Sequence, residues 1–292
     1  MGNRNLTGKT KLCGLIGDPV EHTMSPAMHN AAFAKMGLDF VYVPFRVKPE
    51  DLTQAVAGMK ALNIRGLNVT IPHKVAIISL LDELDSLAEK IGAVNTVVND
   101  SGILQGFNTD AIGFLEALTQ RGVEPKGKRV VVLGAGGAGR AASFVLAERG
   151  AHLLILNRRQ ELGWAEELAG QLTQAFGQEV RAMELTDGNL AQALEGAYIL
   201  VNATSVGMTP NTDETPVSAD MLRPSLVVFD VVYNPVKTKL MRQAEQIGAQ
   251  TISGLEMLVW QGALAFELWT GAKPPVELMR KEVMRSLGQD EN

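Results

Sequence analysis

A lysine stands near the end of residues 66–76, GLNVTIPHKVA, just after a strand-like pattern stops. Leu67 and Val69 alternate with polar residues as in a β-strand, and Pro72 ends the pattern two positions before Lys74. In open α/β sheets, ligands bind outside the carboxyl ends of the strands. Lys74 is therefore a candidate for contact with a ligand. The alternative is a solvated lysine at a helix start, where the helix dipole makes a cation mildly unfavourable.

Three glycines in residues 130–140, VVVLGAGGAGR, have the spacing GxGxxG. The stretch follows an apolar strand and opens the helical pattern AGRAASFVLAERG. Glycine allows a tight turn there and lets backbone N–H groups approach a pyrophosphate at the positive helix end. This strand–turn–helix context favours a dinucleotide-binding loop over a glycine-rich turn without a ligand. The candidate contacts are Gly134, Ala135, Gly136, Gly137 and Ala138, with Gly139 as the third glycine of the pattern.

The next strand-like run, HLLILN, leads into Asn157, Arg158 and Arg159. NAD-binding folds usually place Asp or Glu here, where the carboxylate accepts hydrogen bonds from the ribose 2′-hydroxyl. A carboxylate would repel a 2′-phosphate, whereas a guanidinium binds it through paired, charge-assisted hydrogen bonds. The sequence therefore predicts NADP as the cofactor, with Arg158 as the main phosphate contact and Arg159 assisting. Two solvated arginines at a strand end are the alternative.

Hydroxyl groups precede a predicted helix in residues 17–29, GDPVEHTMSPAMH. Ser25 followed by Pro26 predicts a helix start with Ser25 as the N-cap. Thr23 lies two positions earlier in an extended approach, so both hydroxyls point the same way. Hydroxyls beside the positive end of a helix can hold a carboxylate without an arginine. On local evidence simple capping is favoured, and an anion site is the alternative.

The elements that must position these residues follow an alternating pattern. The predicted strands are LCGLIG, FVYVPF, GLNVTI, AVNTVV, RVVVLG, HLLILN, YILVNA, LVVFDVV and a short final AQTI. The predicted helices between and after them are PEDLTQAVAGMKAL, AGRAASFVLAERG, ELGWAEELAGQLTQAFG, TKLMRQAEQIG, LEMLVWQGALAFELWTG and PPVELMRKEVMRSLG. This alternation predicts βαβ units and an α/β fold, with a largely parallel sheet covered by helices on both faces.

A length of 292 residues is consistent with about two domains. The polar segment RGVEPKGKR, residues 121–129, separates two regular patterns, and the last predicted strand ends just before residue 254. The final two helices have no strand partners, so we expect them to return to the first domain. The predicted domains are an N-terminal α/β domain of residues 1–110, joined by residues 254–292, and a Rossmann-type domain of residues 111–253.

The composition excludes several classes of protein. A net charge of −5 without a basic stripe argues against a nucleic-acid partner. The polar start MGNRNLTGKT lacks the apolar core of a signal peptide, and no apolar run reaches the ~18 residues of a membrane span. The single cysteine excludes an internal disulfide, and His22, His29, His73 and His152 show no metal-ligand spacing, so we expect them at the surface or behind a site. A cytoplasmic, soluble protein without a metal is predicted, and a homodimer is left open.

Taken together, the motifs resemble those of the shikimate dehydrogenase family. The matching stretches, from about residue 12 to residue 271, are GDPVEHTMSPAMHNAAF, NVTIPHK, GAVNTV, GFNTDAIG, VLGAGGAGRA, NRR, NATSVGM, FDVVYNP and GLEMLVWQGA. The series NVTxPxK, AVNT and NTD is specific, because unrelated Rossmann enzymes lack it. The resemblance implies a substrate-binding N-terminal domain and the reversible, NADPH-dependent reduction of 3-dehydroshikimate to shikimate in aromatic amino-acid biosynthesis.

The resemblance also implies roles for individual residues. Lys74 and Asp110 match the family's catalytic pair, in which an ammonium ion at the substrate carbonyl supplies charge and a proton. Whether Lys74 transfers the proton or only stabilises charge stays open. The implied substrate contacts are Thr23, Ser25, Thr70, Asn95, Asp110, Tyr233 and Gln261. The implied contacts at the nicotinamide end of the cofactor are Thr204, Ser205, Val231 and Gly254.

Three departures from the family pattern affect fine specificity. Thr23 replaces a serine and adds a methyl group, Arg159 stands where threonine is usual, and Glu256 interrupts the common Gly-Leu-Gly-Met-Leu. One alternative function is a dual quinate/shikimate dehydrogenase, which shares every motif above. Another is a non-catalytic NADPH-binding regulator, which would be expected to lose Lys74 or Asp110.

Overall fold

The computed structural model describes residues 6–289, and they form two compact units. One unit comprises the chain up to Thr109 together with the chain from Gln261 onward, and the other is Asp110–Trp260. Each unit is built around its own six-stranded sheet. The α/β architecture predicted from the alternating pattern is confirmed, although its strands belong to two sheets.

The first sheet is mixed. Its strands are β1 (Lys11–Gly17), β2 (Phe40–Arg46), β3 (Gly66–Val69), β4 (Glu83–Leu84), β5 (Thr96–Asp100) and β6 (Ile103–Phe107), in the order β2-β1-β3-β5-β6-β4. Strands β2 and β3 run parallel to β1, whereas β5 is antiparallel to both β3 and β6. Strand β4 is parallel to β6, so five of the six strands run in one direction and β5 runs against them. The prediction of a largely parallel arrangement is therefore confirmed for this half of the chain, with β5 as the antiparallel strand. The turn at Ser101 and Gly102, with φ of 55° and 96°, reverses the chain into a β5–β6 hairpin.

The second sheet is entirely parallel. Its strands are β7 (Arg129–Leu133), β8 (His152–Asn157), β9 (Arg181–Glu184), β10 (Ile199–Asn202), β11 (Val227–Asp230) and β12 (Gln250–Ser253), in the order β12-β11-β10-β7-β8-β9. The direction of chain progression reverses at β7, which lies between β8 and β10. The carboxyl ends of these strands therefore form the topological switch point at which α/β sheets bind ligands.

Helices connect the strands of both units. They are α1 (Ser25–Lys35), α2 (Leu52–Ala61), α3 (Ser86–Ile91), α4 (Thr109–Gln120), α5 (Gly137–Glu148), α6 (Leu162–Phe176), α7 (Asp187–Leu194), α8 (Lys239–Gln246), α9 (Gly254–Thr270) and α10 (Val276–Ser286). Short 3₁₀ turns span Pro49–Asp51, Ala76–Leu80, Arg159–Glu161 and Ala219–Met221. Between residues 6 and 289, none of the helices has the length and apolar character needed to cross a membrane.

The C-terminal helices pack on the first unit. Helix α10 lies against α1. The Trp269 indole on α9 donates to the Val97 carbonyl at 3.1 Å, and a Cβ at Gly66 would lie 2.0 Å from its Nε1. The Arg65 guanidinium donates to the carbonyls of Trp269 and Asn99 at 3.0 and 2.6 Å. Glycine at position 66 thus makes room for the tryptophan that fixes α9 on β3 and β5.

A histidine lies in the aromatic core of the first unit. His29 is fully buried, its ring stacks on Tyr42 with 4.5 Å between the centroids, and Trp269 lies at 5.2 Å. Neither ring nitrogen has a hydrogen-bond partner among residues 6–289. Burial lowers the pKa of His29 to about 3. The ring is therefore neutral over the physiological range and belongs to the core.

Candidate active site

Asn95 is the centre of a buried hydrogen-bond network in the first unit. Its Oδ1 accepts from the Thr109 N–H at 2.7 Å, and its Nδ2 donates to Thr109 Oγ1 at 2.9 Å and to Gln261 Oε1 at 3.3 Å. All three residues are buried. The network joins the loop before β5 to the start of α4 and to α9. It places two of the predicted substrate contacts, Asn95 and Gln261, side by side.

A further set of polar side chains extends this network. The Tyr42 hydroxyl donates to Asn68 Oδ1 at 2.7 Å, and Asn68 Nδ2 donates to Thr96 Oγ1 at 3.1 Å. Thr96 Oγ1 lies 3.1 Å from Thr109 Oγ1, which connects Asn68 to the Asn95 network. The sequence analysis missed these residues. The available signal was a polar residue inside the apolar strand GLNVTI, since a buried amide requires hydrogen-bond partners.

Lys74 lies in a turn between β3 and the 3₁₀ turn Ala76–Leu80, not at the start of an α-helix. Its carbonyl accepts from the Val94 N–H at 2.7 Å. The neighbouring His73 is buried, and its Nε2 lies 2.7 Å from the Val47 carbonyl oxygen, so Nε2 carries the proton and donates. Hydrogen bonds on both sides therefore fix the backbone at Lys74, whose side chain is half-buried.

Thr70 stands where β3 ends, and its methyl group has a defined place. A Cβ at Gly17 would lie 2.3 Å from Thr70 Cγ2, so glycine at position 17 makes room for that methyl. The Thr70 N–H donates to the Ile16 carbonyl at 3.0 Å, and the Thr70 carbonyl accepts from the His73 N–H at 2.9 Å. Thr70 and Lys74 therefore belong to one tightly bonded turn.

The predicted cap of α1 is wrong in its detail. The helix begins at Ser25, and Met24 occupies the capping position without a side-chain capping bond. Thr23 Oγ1 accepts from the Ser25 N–H at 3.3 Å, so a hydroxyl two residues upstream takes over part of the capping role. Ser25 is 4 % exposed, and its hydroxyl makes no hydrogen bond within residues 6–289. That hydroxyl stands at the positive end of α1, as the anion-site interpretation requires.

Asp110 lies in the first turn of α4, which begins at Thr109, and it is 5 % exposed. A carboxylate in the first turn is stabilised by the helix dipole. Asp110 is the first residue of the second unit, which also contains Tyr233. Tyr233 is half-buried, and burial of its hydroxyl raises its pKa. The other predicted substrate contacts, Thr23, Ser25, Thr70, Asn95 and Gln261, lie with Lys74 in the first unit.

The glycines of the GxGxxG loop have different physical reasons to be glycine. Gly134 has φ of +96°, and a Cβ at Gly139 would lie 2.2 Å from the Gly134 carbonyl oxygen, so the fold itself requires both. Gly136 has an ordinary φ of −73°, and a Cβ there would meet nothing within 4 Å. The fold therefore does not require glycine at position 136. The open space it leaves at the start of α5, where backbone N–H groups lack helical partners, fits a pyrophosphate.

The remaining residues of this loop continue into the helix. Ala135 is buried, whereas Gly137 and Ala138 begin α5 and are half-buried.

Asn157 closes the loop that follows β8. It is 4 % exposed, its Nδ2 donates to the Glu161 carbonyl at 2.9 Å, and its Oδ1 accepts from the Arg158 N–H at 3.1 Å. The Arg158 guanidinium donates to the Glu161 carboxylate. Arg159 is exposed and makes no ion pair within residues 6–289. The loop thus presents two guanidinium groups and one carboxylate, and the sequence analysis overlooked the carboxylate.

A buried carboxylate organises the loops after β10 and β11. The Thr204 N–H and hydroxyl both donate to Asn202 Oδ1, at 3.1 and 2.6 Å, and Asn202 Nδ2 donates to Asp230 Oδ1 at 3.0 Å. Asp230 also accepts from the Val232 N–H at 3.1 Å and from the Thr238 hydroxyl at 2.6 Å. Burial raises the pKa of the fully buried Asp230 to about 6. These bonds fix the backbone that carries Thr204.

The last predicted cofactor contacts lie on the same loops. Val231 donates its N–H to the Asn202 carbonyl at 2.9 Å, and Ser205 is exposed. A Cβ at Gly254 would lie 2.1 Å from the Val231 carbonyl oxygen, so close packing requires this glycine. Glu256 lies in the first turn of α9, where the helix dipole stabilises its charge. No group of three or more His, Cys, Asp or Glu side chains in residues 6–289 is arranged to hold a metal ion.

Comparison with known proteins identifies similar sequences and structures. Family models described as shikimate dehydrogenase substrate binding domain and shikimate 5′-dehydrogenase C-terminal domain match residues 15–97 and 254–284. A shikimate dehydrogenase (NADP(+)) of Methanopyrus kandleri is 52 % identical over 285 residues, which cover 97 % of this chain and 98 % of the relative. A crystal structure of a shikimate dehydrogenase in complex with NADP⁺ is 44 % identical, with a TM-score of 0.88 over 97 % of this chain and 98 % of the other. The shikimate 5-dehydrogenase of Thermus thermophilus in complex with NADP(H) and shikimate is 39 % identical, with a TM-score of 0.84 over 95 % and 100 %.

Proposed function

The chain belongs to the shikimate dehydrogenase family, and from this premise we propose that it catalyses the reversible, NADPH-dependent reduction of 3-dehydroshikimate to shikimate. The family, the class of enzyme and the cofactor predicted from the sequence are confirmed. In this reaction NADPH, when bound, supplies a hydride to the substrate carbonyl carbon. The protein must hold the substrate, stabilise the carbonyl oxygen as it gains charge, and deliver a proton to it.

Lys74 is proposed as the group at the carbonyl oxygen. Its ammonium ion stabilises the developing alkoxide and donates the proton that completes the hydroxyl. The supporting observation is the fixed backbone of its turn, held through the Lys74 carbonyl and the His73 ring. A catalytic group gains from such rigidity, since small displacements cost rate. Asp110, at the positive end of α4, is proposed as the second catalytic residue and as a contact of a substrate hydroxyl, as the family resemblance implies.

The carboxylate of the substrate is proposed to bind at the start of α1. The buried Ser25 hydroxyl stands at the positive helix end, and Thr23 approaches the same end. Both groups donate to an anion while the helix dipole favours its charge. Tyr233 is proposed as a further donor to this carboxylate.

The hydroxyl groups of the substrate are proposed to be recognised by Thr70, Asn95 and Gln261. The observation that carries the proposed function is the network around Asn95, because it brings residues of the motifs GAVNTV, GFNTDAIG and GLEMLVWQGA into direct contact. A network whose members fix one another presents its remaining donors and acceptors in a set geometry. Such a site distinguishes substrates by the positions of their hydroxyls.

The cofactor is proposed to lie along the carboxyl ends of β7, β8 and β10. The open space at Gly136 accommodates the pyrophosphate, and Arg158 with Arg159 accommodates the 2′-phosphate. Thr204, Ser205, Val231 and Gly254 are proposed to line the nicotinamide end. The Asn202–Asp230 pair supports that proposal, since it fixes the loop that carries Thr204.

Initial rates with shikimate or quinate, each with NADP⁺ or NAD⁺, test the proposed function directly. The rates are measured from the rise of nicotinamide absorbance. We expect the highest kcat/KM with shikimate and NADP⁺. A folded protein that binds NADPH but turns over neither acid would instead be the non-catalytic regulator. Circular dichroism and NADPH titration of the same preparation distinguish these outcomes.

A further inference from the structure

The loop that carries Arg158 also contains a carboxylate with no part in the proposed function. Glu161 is the last residue of the 3₁₀ turn and the N-cap of α6. The side chains preferred at that position accept from a helical N–H, and glutamate is not among them. Here the Glu161 side chain makes no capping bond and instead accepts from the Arg158 guanidinium. Its direction toward the arginine is therefore not a by-product of helix capping.

The backbone fixes Glu161 more firmly than Arg158. Its carbonyl accepts from Asn157 Nδ2 at 2.9 Å, and its N–H donates to the Arg158 carbonyl at 2.9 Å. The Glu161 side chain is 21 % exposed, whereas the Arg158 side chain is 69 % exposed. The carboxylate is thus a fixed acceptor at the base of the loop, and the guanidinium extends from it into solvent.

We propose that Glu161 is a specificity-determining residue that reduces the enzyme's preference for NADP over NAD. The inference rests on the proposed function, in which Arg158 binds the 2′-phosphate. A guanidinium has five N–H donors, so Arg158 can bind Glu161 and a phosphate at the same time. The carboxylate then lies about one guanidinium width from the phosphate, and like charges at that separation repel one another even in water.

The Glu161 carboxylate does not weaken the binding of NAD in this way. A neutral 2′-hydroxyl is not repelled by Glu161, and it can donate a hydrogen bond to a carboxylate. Glu161 therefore weakens NADP binding while leaving NAD binding unchanged or slightly improved. Arg159, which has no ion-pair partner within residues 6–289, keeps the loop net positive, so NADP remains preferred.

The substitution Glu161→Gln tests this inference, because an amide oxygen still accepts from Arg158 while the negative charge is lost. Dissociation constants for NADPH and NADH are measured by titrating the nicotinamide fluorescence with the whole protein. We expect NADPH to bind about five- to tenfold more tightly, with NADH changing by less than about twofold. The gain for NADPH should shrink as ionic strength rises. Glu161→Ala should change the NADPH/NADH ratio in the same direction.

Two further variants separate the inference from its premise. Glu166→Gln removes the same charge from an exposed residue of α6 that has no ion pair within residues 6–289, and it should leave both constants unchanged. Arg158→Ala should weaken NADPH about tenfold or more and NADH far less, since a charge-assisted hydrogen bond to the phosphate is lost. If Arg158→Ala leaves NADPH binding intact, the assignment of Arg158 to the 2′-phosphate is wrong. If Arg158→Ala behaves as expected but Glu161→Gln keeps the wild-type NADPH/NADH ratio, the role of Glu161 is overturned.

Discussion

Around Asn95 in the first unit, the interacting side chains come from segments far apart in the sequence, whereas the loop at Asn157 in the second unit is held by its own residues. Asn95 contacts Gln261 across 166 positions, while Asn157 contacts Glu161 across four. In the first region polar side chains bond to one another in the core. In the second region a few local bonds shape a loop whose two arginines are exposed to solvent.

This difference matches two kinds of recognition. A small ring with several hydroxyls is distinguished by donors and acceptors in set positions, which a cross-linked network provides. A dinucleotide phosphate is recognised by charge, by helix N-termini and by open space, which a short loop provides. Changes in the first region should therefore alter turnover and substrate choice. Changes in the second should alter cofactor affinity and leave chemistry intact.

The largest effect is expected for Lys74→Ala, which tests whether the first region carries the chemistry. Removing the ammonium ion removes an interaction of the transition state, so kcat should fall by at least about 100-fold with a smaller change in KM for shikimate. Steady-state kinetics at saturating NADP⁺ measure both constants. NADPH affinity should be unchanged. A variant with near wild-type turnover would show that Lys74 is not at the reacting oxygen.

A smaller effect is expected for Gly136→Val, which tests whether the open space at this position is needed to bind the cofactor. A side chain there should displace the pyrophosphate and weaken NADPH and NADH alike, by about tenfold or more, the size typical of steric overpacking. Thermal stability should hardly change, because a Cβ at this position would meet nothing of the protein within 4 Å. Gly188→Val is the matched control, since it adds the same atoms in an equally open position in the first turn of α7. Unchanged affinity in the Gly136 variant would remove the pyrophosphate from this place.

Thr23→Gly tests whether this residue of the first unit sets the choice between shikimate and quinate. Quinate has a tetrahedral carbon with an extra hydroxyl beside its carboxylate, where shikimate is flat, and the threonine methyl narrows that space. A pocket rejects an added group by only ~1–3 kcal/mol, so wild type should favour shikimate in kcat/KM by about tens-fold. The glycine variant should narrow this gap and weaken shikimate itself, since one donor to the carboxylate is lost. A wild-type preference for quinate, or an unchanged ratio in the variant, would mean that another residue discriminates.

The smallest effect on turnover is expected for changes at two buried titratable groups, His29 and Asp230. A fall in pH should destabilise the first unit through His29 and stabilise the second unit through Asp230. The pKa of His29 is lowered to about 3, so the unfolded chain binds the proton more readily and the first unit loses stability as pH falls below about 6.5. The pKa of Asp230 is raised to about 6, so the folded state binds the proton more readily. The second unit therefore loses stability as pH rises from about 4 to about 6.

Thermal unfolding of wild type, His29→Phe and Asp230→Asn across this pH range measures the two contributions. His29→Phe keeps an aromatic ring in the cluster and should gain several degrees relative to wild type on the acidic side, with little difference near neutrality. The melting temperature of Asp230→Asn, relative to that of wild type at the same pH, should be highest near neutrality and lowest at about pH 4. A difference from wild type that is constant with pH in either variant would show that the group does not titrate as its burial implies.

Much of the second unit could be predicted from the sequence because its signals are local. The glycine loop, the strand before it and the arginines after β8 all lie within about 30 residues, the length of one βαβ unit. The open space at Gly136 agrees with the predicted role of that loop. Glu161 was overlooked because its importance depends on its side chain pointing toward Arg158. The sequence NRRQE does not show in which direction that side chain points.

The network of the first unit could not be predicted, because its contacts depend on tertiary structure. No local pattern relates Asn68 to Tyr42, or Asn95 to Gln261. The β5–β6 hairpin was missed although Asn-Asp-Ser-Gly is a turn signal. The cap at Ser25 was assigned wrongly because the competing hydroxyl of Thr23 was not weighed. His29 was expected at the surface or behind a site, and its place in an aromatic core was missed, since the sequence does not show the aromatic residues that surround its ring.

The position of Trp269 against Gly66 has a consequence for the protein during its synthesis. Trp269 covers β3 and β5, and it is translated after every residue of the second unit. The first unit therefore cannot complete its core until Trp269 has emerged from the ribosome, although its strands are made first. The second unit has all of its residues once Trp260 has emerged, so the part encoded later folds to completion earlier. Protease digestion of nascent chains stalled when Trp260, but not Trp269, has emerged from the ribosome should spare the second unit and cleave the first.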